Sequence, residues 1–379
     1  MTALMTVKTD TKIELKGLSL EEMERVVAVL GEPPYRGRQL FHWIYGRGSR
    51  RFEEMSDLPT GLRAGLAEQA SIAGITCLAR QVSGDGTRKY LFACHDGQQF
   101  EAVLIPDEGR LTACLSTQIG CALACAFCLT GKMGFVRHLG AGEIVDQVRV
   151  LREDLATGER IGNLVLMGMG EPLHNYDATV KALTILVHPL GLAYPPRRVT
   201  LSTVGLVPEI VRLGASGLDV NLAVSLHAAT DELRDRLVPI NRRYPLKELM
   251  AALRAYPLPP RRRITFEYTL MDGVNDQPED ARELARLLRG LRCKVNVLPL
   301  NEAPAIPFRR PSRQRVEAFQ QTLKSAGILT TIRESRGQDI FAACGMLAIE
   351  GQEKRLDSSG PLPYDVFRGV EQSGSSLGS

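Results

Sequence analysis

The chain has 379 residues, 44% hydrophobic and 24% charged, a balance that excludes a fibrous or mostly disordered protein and supports about two or three globular domains. Its 47 basic and 43 acidic residues leave a net charge of +4, permissive of a polyanionic partner without identifying one. No run of about 18 apolar residues occurs, and the first residues lack a basic stretch leading into an apolar core, so the expectation is a cytoplasmic protein with no membrane partner.

Residues 1–12 are polar and aperiodic and read as a flexible arm. A helix is expected from Ser19, where Glu22 completes a capping box, with Leu20, Met23, Val26, Val27 and Leu30 on one face and Gly31 as the stop. After Pro33-Pro34, helical patterns cover 36–45 and 60–69, so residues 13–72 read as a small helical domain. Residues 73–107 form a linker and a β-hairpin, with strands 89–94 and 98–105 around the Asp96-Gly97 turn signal.

In the main body, residues 108–352, short apolar strands alternate with amphipathic helices: 111–116, 163–168, 199–203, 219–226, 264–270 and 294–299. That alternation implies a parallel sheet, and both a doubly wound sheet and a barrel satisfy it. Either places chemistry at the carboxyl ends of the strands. Residues 353–379 are rich in Ser, Gly and Pro and read as a flexible tail.

Four of the eight cysteines fall between Cys114 and Cys128, and three of them form Cys121-Ala-Leu-Ala-Cys125-Ala-Phe-Cys128 directly after a strand. Thiolates so spaced can converge on one soft centre. Iron-sulfur cubanes normally take four thiolates, so three leave one iron open to a ligand. The alternative is structural zinc completed by a residue such as His138, although zinc sites usually pair their cysteines as Cys-X2-4-Cys. Further on, Met167-Gly168-Met169-Gly170-Glu171-Pro172 closes a strand. Its glycines permit close backbone approach, and Pro172 holds Glu171 extended, where a carboxylate could accept from an ammonium group. An ordinary strand-to-loop turn would look the same.

The CX3CX2C spacing, with Phe127 before the third cysteine, resembles the radical S-adenosylmethionine (SAM) superfamily. The resemblance implies that Cys121, Cys125 and Cys128 hold one [4Fe-4S] cluster whose open iron chelates SAM, and that reduction cleaves SAM to a 5'-deoxyadenosyl radical. Within the superfamily, Gly170-Glu171-Pro172 is similar to the motif that binds the methionine amine of SAM.

The likeness narrows through Tyr35 to Tyr45, Phe100 to Pro106, Cys114 to Phe135, Val199 to Thr203, Ser225 to Ala228 and Ala342 to Gly345. Over roughly residues 15 to 352 the chain resembles the RlmN-type 23S rRNA adenine methyltransferases, a family that also includes Cfr. The implied fold is a partial (β/α)6 TIM-like barrel with the helical N-terminal accessory domain and the hairpin as extensions. The implied reaction methylates carbon 2 of a specific adenosine in 23S rRNA and of an anticodon-loop adenosine in tRNA. Two SAM molecules are used per turnover: one methylates Cys344, the other activates that methyl group. Cys114 then resolves the adduct by forming a disulfide with Cys344, and Glu101 accepts the proton. The remaining SAM contacts carry over to Gly170, Glu171, Ser202, Ser225, Leu226, His227 and Asn301. A flavodoxin- or ferredoxin-type donor would supply electrons to a monomeric enzyme.

Read alone, Cys114 and Cys344 are more ordinarily small buried hydrophobes, and His227 a core histidine. Glu101 sits in an apolar strand, where burial would raise its pKa toward that of a useful base, or it faces solvent. Leu129, Phe341 and Met346 depart from the family's usual Ala, Asp and Gln. Arginine clusters at Arg36/Arg38, Arg47/Arg50/Arg51, Arg197/Arg198, Arg261 to Arg263 and Arg309 to Arg315 are solvated faces or phosphate contacts. The competing functions are a Cfr-like carbon 8 methyltransferase, a radical SAM activase or peptide modifier, and a zinc- or cluster-stabilised RNA-binding module.

Overall fold

The computed structural model describes residues 12–107 and 109–349. The expected N-terminal arm and the tail at 353–379 lie outside the described residues, apart from Lys12. Strands β1 (Ile13–Glu14) and β2 (Ala70–Ser71) pair in parallel and close the helical N-terminal segment. Its first helix, Leu20–Val29, starts at the Ser19 capping box and buries Met23 and Val27. The second, Tyr35–Phe41, runs on as a π-helical turn, His42–Gly46, which buries Trp43, Ile44 and Tyr45 together. The third, Thr60–Gln69, buries Leu62 and Leu66.

The main sheet has ten strands: β3 (Thr76–Val82), β4 (Arg88–Ala93), β5 (Gln99–Asp107), β6 (Arg110–Cys114), β9 (Ile161–Leu166), β10 (Val199–Thr203), β11 (Asn221–Ser225), β12 (Ile264–Leu270), β13 (Cys293–Pro299) and β14 (Thr330–Ile332). A separate two-stranded ribbon pairs β7 (Gln118–Gly120) with β8 (Phe135–His138). From β6 to β14 all neighbours are parallel, and the order follows the chain without reversal. Right-handed crossovers that always step the same way put every helix on one face. That is the winding of a barrel, not of a doubly wound sheet, which must reverse once. The barrel is partial, because β14 at one end and β3 at the other do not pair. The antiparallel strands β5, β4 and β3 extend it by one strand more than the hairpin read from sequence.

Binary patterning accounts for the layers. Helix Ala141–Glu153 turns Ile144, Val145, Val148 and Leu151 inward, and helix Pro278–Leu287 turns Ala281 and Leu284. Central strands such as β11 and β12 are buried almost throughout.

Several contacts dock the N-terminal helices on the barrel, among them Lys181 on Glu22 and two around Gly17. Gly17, in the left-handed region at φ +96°, lies so close to Gly142 that a Cβ on it would stand 2.6 Å from the Gly142 amide. Beside this contact the buried Asp146 carboxylate accepts from Lys16 Nζ at 2.8 Å, Arg149 Nε at 2.5 Å and the Ile75 amide at 3.0 Å. Burial alone would raise the Asp146 pKa, but Arg149 and Lys16 outweigh it and hold the carboxyl below its ordinary range. Asp146→Ala leaves Lys16 buried and poorly compensated, so it should cost about 3–5 kcal/mol in denaturant unfolding. The group's contribution is present above its unfolded pKa of about 4 and is lost as pH falls through the lower folded value. Acid should therefore narrow the gap between Asp146→Ala and the parent protein.

Candidate active site

The carboxyl ends of the parallel strands open into one cavity. Lining it are Cys114 from the end of β6, the loop thiols Cys121, Cys125 and Cys128, Gly170 and Glu171 after β9, and Ser202 on β10. Ser225 ends β11, His227 follows it, and Asn301 and Cys344 complete the set. Of the residues expected from sequence, Glu101 and Leu226 are absent from this lining. Leu226 is fully buried and acts through its backbone, with its amide on Glu267 O and its carbonyl accepting from Arg234 Nε.

All three loop thiols line this cavity. Burial pushes Cys121 up to about 12, Cys125 well above its ordinary value and Cys128 upward; the Cys128 thiolate raises the other two further. Three thiolates crowded in a poorly hydrated pocket need a soft cationic centre. Among the described residues no three His, Cys, Asp or Glu side chains converge as donors to a single ion do. A cubane requires less convergence, since each thiolate takes a separate iron. His138, the ligand a zinc reading needs, lies outside the cavity lining, with its Nδ1 3.0 Å from Gln118 Nε2. The donor set therefore fits a four-iron cluster with one open iron.

A buried arginine places its charge near Cys125 of this loop. Arg234 is fully buried, and its guanidinium donates to neutral oxygens: Leu226 O at 3.1 Å, Asn241 Oδ1 at 2.9 Å and Val204 O at 2.5 Å. Burial draws its pKa down to about 10, while the charge of Cys125 works in the opposite direction. Its sequence position in a polar helix gave no sign of this placement.

Glu171 is held as a receptor. Its backbone N–H donates to Gln118 Oε1 at 2.8 Å, while its carboxylate accepts from the Leu173 and Val204 amides at 3.0 and 2.9 Å. Gly170, at φ +99°, has no room for a side chain, because a Cβ would stand 2.5 Å from that of Gln118. Burial still pushes Glu171 up to about 7. His227 adopts φ +60°, accepts from the Thr269 amide on Nδ1 at 3.0 Å and packs edge-on against Phe127 at 4.5 Å. Burial, helped by Arg234, lowers it to about 3, so it presents a neutral ring with the hydrogen on Nε2. Ser202 and Ser225 hydroxyls lie 3.4 Å apart.

The Cys344 segment is stitched over the cluster loop. The Leu129 amide donates to Gly345 O at 2.8 Å, Thr130 Oγ1 to Leu347 O at 2.7 Å, and Asn301 Nδ2 to Cys344 O at 3.0 Å. Gln338 in turn fixes Asn301 through Oδ1 at 2.8 Å. Cys344 is open to solvent at the cavity mouth yet ringed by protein, which pushes its thiol up to about 11. Cys114 is buried, and both burial and a Cys344 thiolate push it upward. All eight cysteines are free thiols. The expected disulfide between Cys114 and Cys344 is thus not a resident bond; both sulfurs stand reduced at one cavity.

Of the two placements left open by the sequence, Glu101 takes the buried one, and it has partners there. Its Oε1 lies 2.9 Å from Lys89 Nζ, and its Oε2 accepts from the Ala348 amide at 3.0 Å. Both contacts stabilise the anion against the cost of burial. Sequence reasoning also passed over Glu267, a carboxylate lining the cavity with Asn296 Nδ2 on Oε1 at 2.8 Å. Its place on an apolar strand was the available signal. Many surface arginines are partly neutralised within the chain: Arg38 by Glu24, Arg50 by Glu153, Arg51 by Glu54, Arg310 by Glu334 and Arg313 by Glu317. Arg47 stacks 4.1 Å over Trp43.

Residues 115–288 match the model of the radical SAM superfamily, and residues 13–72 that of the ribosomal RNA large subunit methyltransferase N-terminal domain. The chain is 53% identical over 336 residues to the dual-specificity RNA methyltransferase RlmN of Syntrophobacter fumaroxidans, covering 89% of this chain and 98% of that protein. It is 52% identical over 344 residues to the RlmN of Syntrophotalea carbinolica, covering 90% and 91%. The crystal structure of a radical SAM methyltransferase from Sphaerobacter thermophilus superposes with a TM-score of 0.82 at 49% identity, covering 88% of this chain and 99% of that one. Among the described residues no helix is long and apolar enough to cross a membrane.

Proposed function

Since the chain belongs to the RlmN family of radical SAM RNA methyltransferases, we propose that it methylates carbon 2 of a specific adenosine in 23S rRNA and of an anticodon-loop adenosine in tRNA. The observation that carries this reading is the presence of two further thiols, Cys114 and Cys344, in the cavity of the three-thiol loop. An activase or peptide modifier has no use for them. An adenine C–H is too poor a nucleophile to take a methyl group by polar transfer, so the carbon must travel through a covalent intermediate.

The family brings SAM and a [4Fe-4S] cluster, which Cys121, Cys125 and Cys128 would hold. When bound, they supply a hydrogen-abstracting radical. Glu171, with Gly170 leaving room, receives the methionine ammonium of SAM. Ser202, Ser225, Leu226, His227 and Asn301 orient the rest. Two SAM molecules serve each turnover, and Cys344 accepts the methyl group of the first. Once that carbon is joined to the base, Glu101 takes the proton from carbon 2, and the unpaired electron left by radical addition would pass to the cluster as a one-electron acceptor. Cys114 then attacks Cys344 Sγ: a sulfur-sulfur bond forms, the carbon-sulfur bond breaks, and the carbon keeps the electron pair and gains a proton. A two-electron thiol reductant restores both cysteines. The enzyme acts in the cytoplasm as a monomer, with residues 13–72 as an RNA-binding accessory domain and a flavodoxin- or ferredoxin-type donor.

Mass spectrometry of nucleosides from cells with and without the gene tests this reading: 2-methyladenosine should disappear from both RNAs. Loss of 8-methyladenosine instead, or no change in either, would refute it.

Glu171 yields a separate expectation. Its carboxylate must be charged to hold an ammonium group, so affinity for S-adenosylhomocysteine should rise as pH increases through about 7. Glu171→Gln removes a charge-assisted hydrogen bond worth about 1.5–3 kcal/mol. Calorimetry should show affinity reduced by roughly 10- to 150-fold and the pH dependence flattened.

A further inference from the structure

Among the described residues, the buried Lys89 has no task in the chemistry above. In the antiparallel pairing of β4 with β5, Leu91 stands opposite Glu101 and Lys89 opposite Val103. Lys89 and Glu101 are therefore diagonal neighbours on one face of the sheet. Their side chains are only 10% and 5% exposed, and Lys89 Nζ lies 2.9 Å from Glu101 Oε1. An ammonium in such a place loses several kcal/mol of hydration, whereas an apolar residue would pack there without that cost. The rest of Glu101 is fixed as closely. Its carbonyl accepts from Ser116 Oγ at 2.5 Å, its amide points to Met169 Sδ at 3.3 Å, and its Oε2 takes the Ala348 amide at 3.0 Å. Ala348 belongs to the segment that carries Cys344 over the cavity.

We infer that Lys89 is a positioning residue for proton removal, holding the Glu101 carboxylate charged and in a single orientation beneath the Cys344 segment. The inference rests on the reading of Glu101 as the proton acceptor. In the step it serves, the C–H bond at carbon 2 breaks, its electron pair stays with the adduct and an O–H bond forms on Glu101. The adduct's unpaired electron leaves to a one-electron acceptor, the role the reaction's iron-sulfur cluster would fill. Lys89 holds Oε1 and the Ala348 amide holds Oε2, and each oxygen keeps a second lone pair with which to take the proton. The ion pair thus fixes the plane of the carboxylate, and the Ala348 amide ties that plane to the segment carrying Cys344.

The test uses the iron-loaded full-length enzyme with SAM, reductant and RNA. It compares Lys89→Met, Lys89→Arg and Glu101→Gln for kcat, KM and the fraction of protein migrating with RNA on denaturing gels. Losing a positioned base or its support costs on the order of 100-fold or more. Lys89→Met should therefore lower kcat by about 100-fold, with KM for RNA within about twofold, and the covalent adduct should accumulate. Lys89→Arg, which keeps the charge, should recover most of the rate. Wild-type turnover by Lys89→Met would overturn the inference, provided Glu101→Gln is inactive; so would a loss of activity without adduct, or with weakened RNA binding. If Lys89→Met does not fold, Lys89→Arg decides alone: an inactive, iron-loaded Arg variant without adduct overturns it. Normal turnover by Glu101→Gln would instead refute the assignment of the base, whatever Lys89 does.

Discussion

Cys114→Ala should stop the enzyme with RNA attached to it. Cys114 lies at the carboxyl end of β6, buried between Val103 of β5 and Val165 of β9. Removing one sulfur there leaves the strand pairing untouched. Nothing then attacks Cys344 to release the methylated base, so the carbon-sulfur bond persists. Turnover should fall by roughly 10,000-fold, the range seen when a covalent-catalysis residue is deleted, while a band carrying both protein and RNA survives denaturation and added thiol. Cys344→Ala should abolish methylation with no such band, and the double variant should match it. The asymmetry is the informative result. Near-parental turnover by either single variant would sink the two-thiol route. Because burial keeps Cys114 protonated at rest, its proton must leave as the sulfur-sulfur bond forms. Two reduced thiols share the cavity without closing on each other because a disulfide needs a two-electron acceptor, which the carbon-sulfur bond on Cys344 supplies only once the adduct has formed.

Cys125→Ala should give a colourless protein that keeps its fold. Cys125 is the most enclosed of the three loop thiols, with the other two cysteines and the Arg234 guanidinium acting on its charge. Two thiolates cannot hold a cubane that already lacks its fourth. Iron content and charge-transfer absorbance should fall to background, and methylation should drop by roughly 10,000-fold or more. Circular dichroism should change little, because the loop is anchored elsewhere: Cys121 N on Gly134 O, Ala126 N on Leu237 O and Leu129 N on Gly345 O. The exposed Cys77 provides the control, since Cys77→Ala should retain full iron. A Cys125→Ala protein with undiminished iron would disprove the ligand assignment.

Local chemistry was readable from the chain where neighbours in sequence do the work. The Ser19–Glu22 capping box and helix Thr60–Gln69 stand where the pattern puts them, as do six parallel strands within a few residues. The choice between a barrel and a doubly wound sheet depended on pairing order, which is non-local and leaves no periodic trace. Strand β3 escaped notice because all seven of its residues are exposed, so no burial alternation marks it. Strand β14, three residues long, is too short to show any pattern. In the site, the thiol loop is contiguous and visible. The partner of Glu101 is not: a lysine inside a strand reads as a solvent-facing residue, and only the register of β4 on β5 turns Lys89 indoors. Arg234 is the same case on a helix.

The unpaired ends of the main sheet decide what kind of molecule this chemistry can reach. A wall that closed on itself would make a cup, suited to a free nucleoside. One that stops short makes a trough with an open side, and a long folded polymer can lie along it while offering a single nucleotide inward.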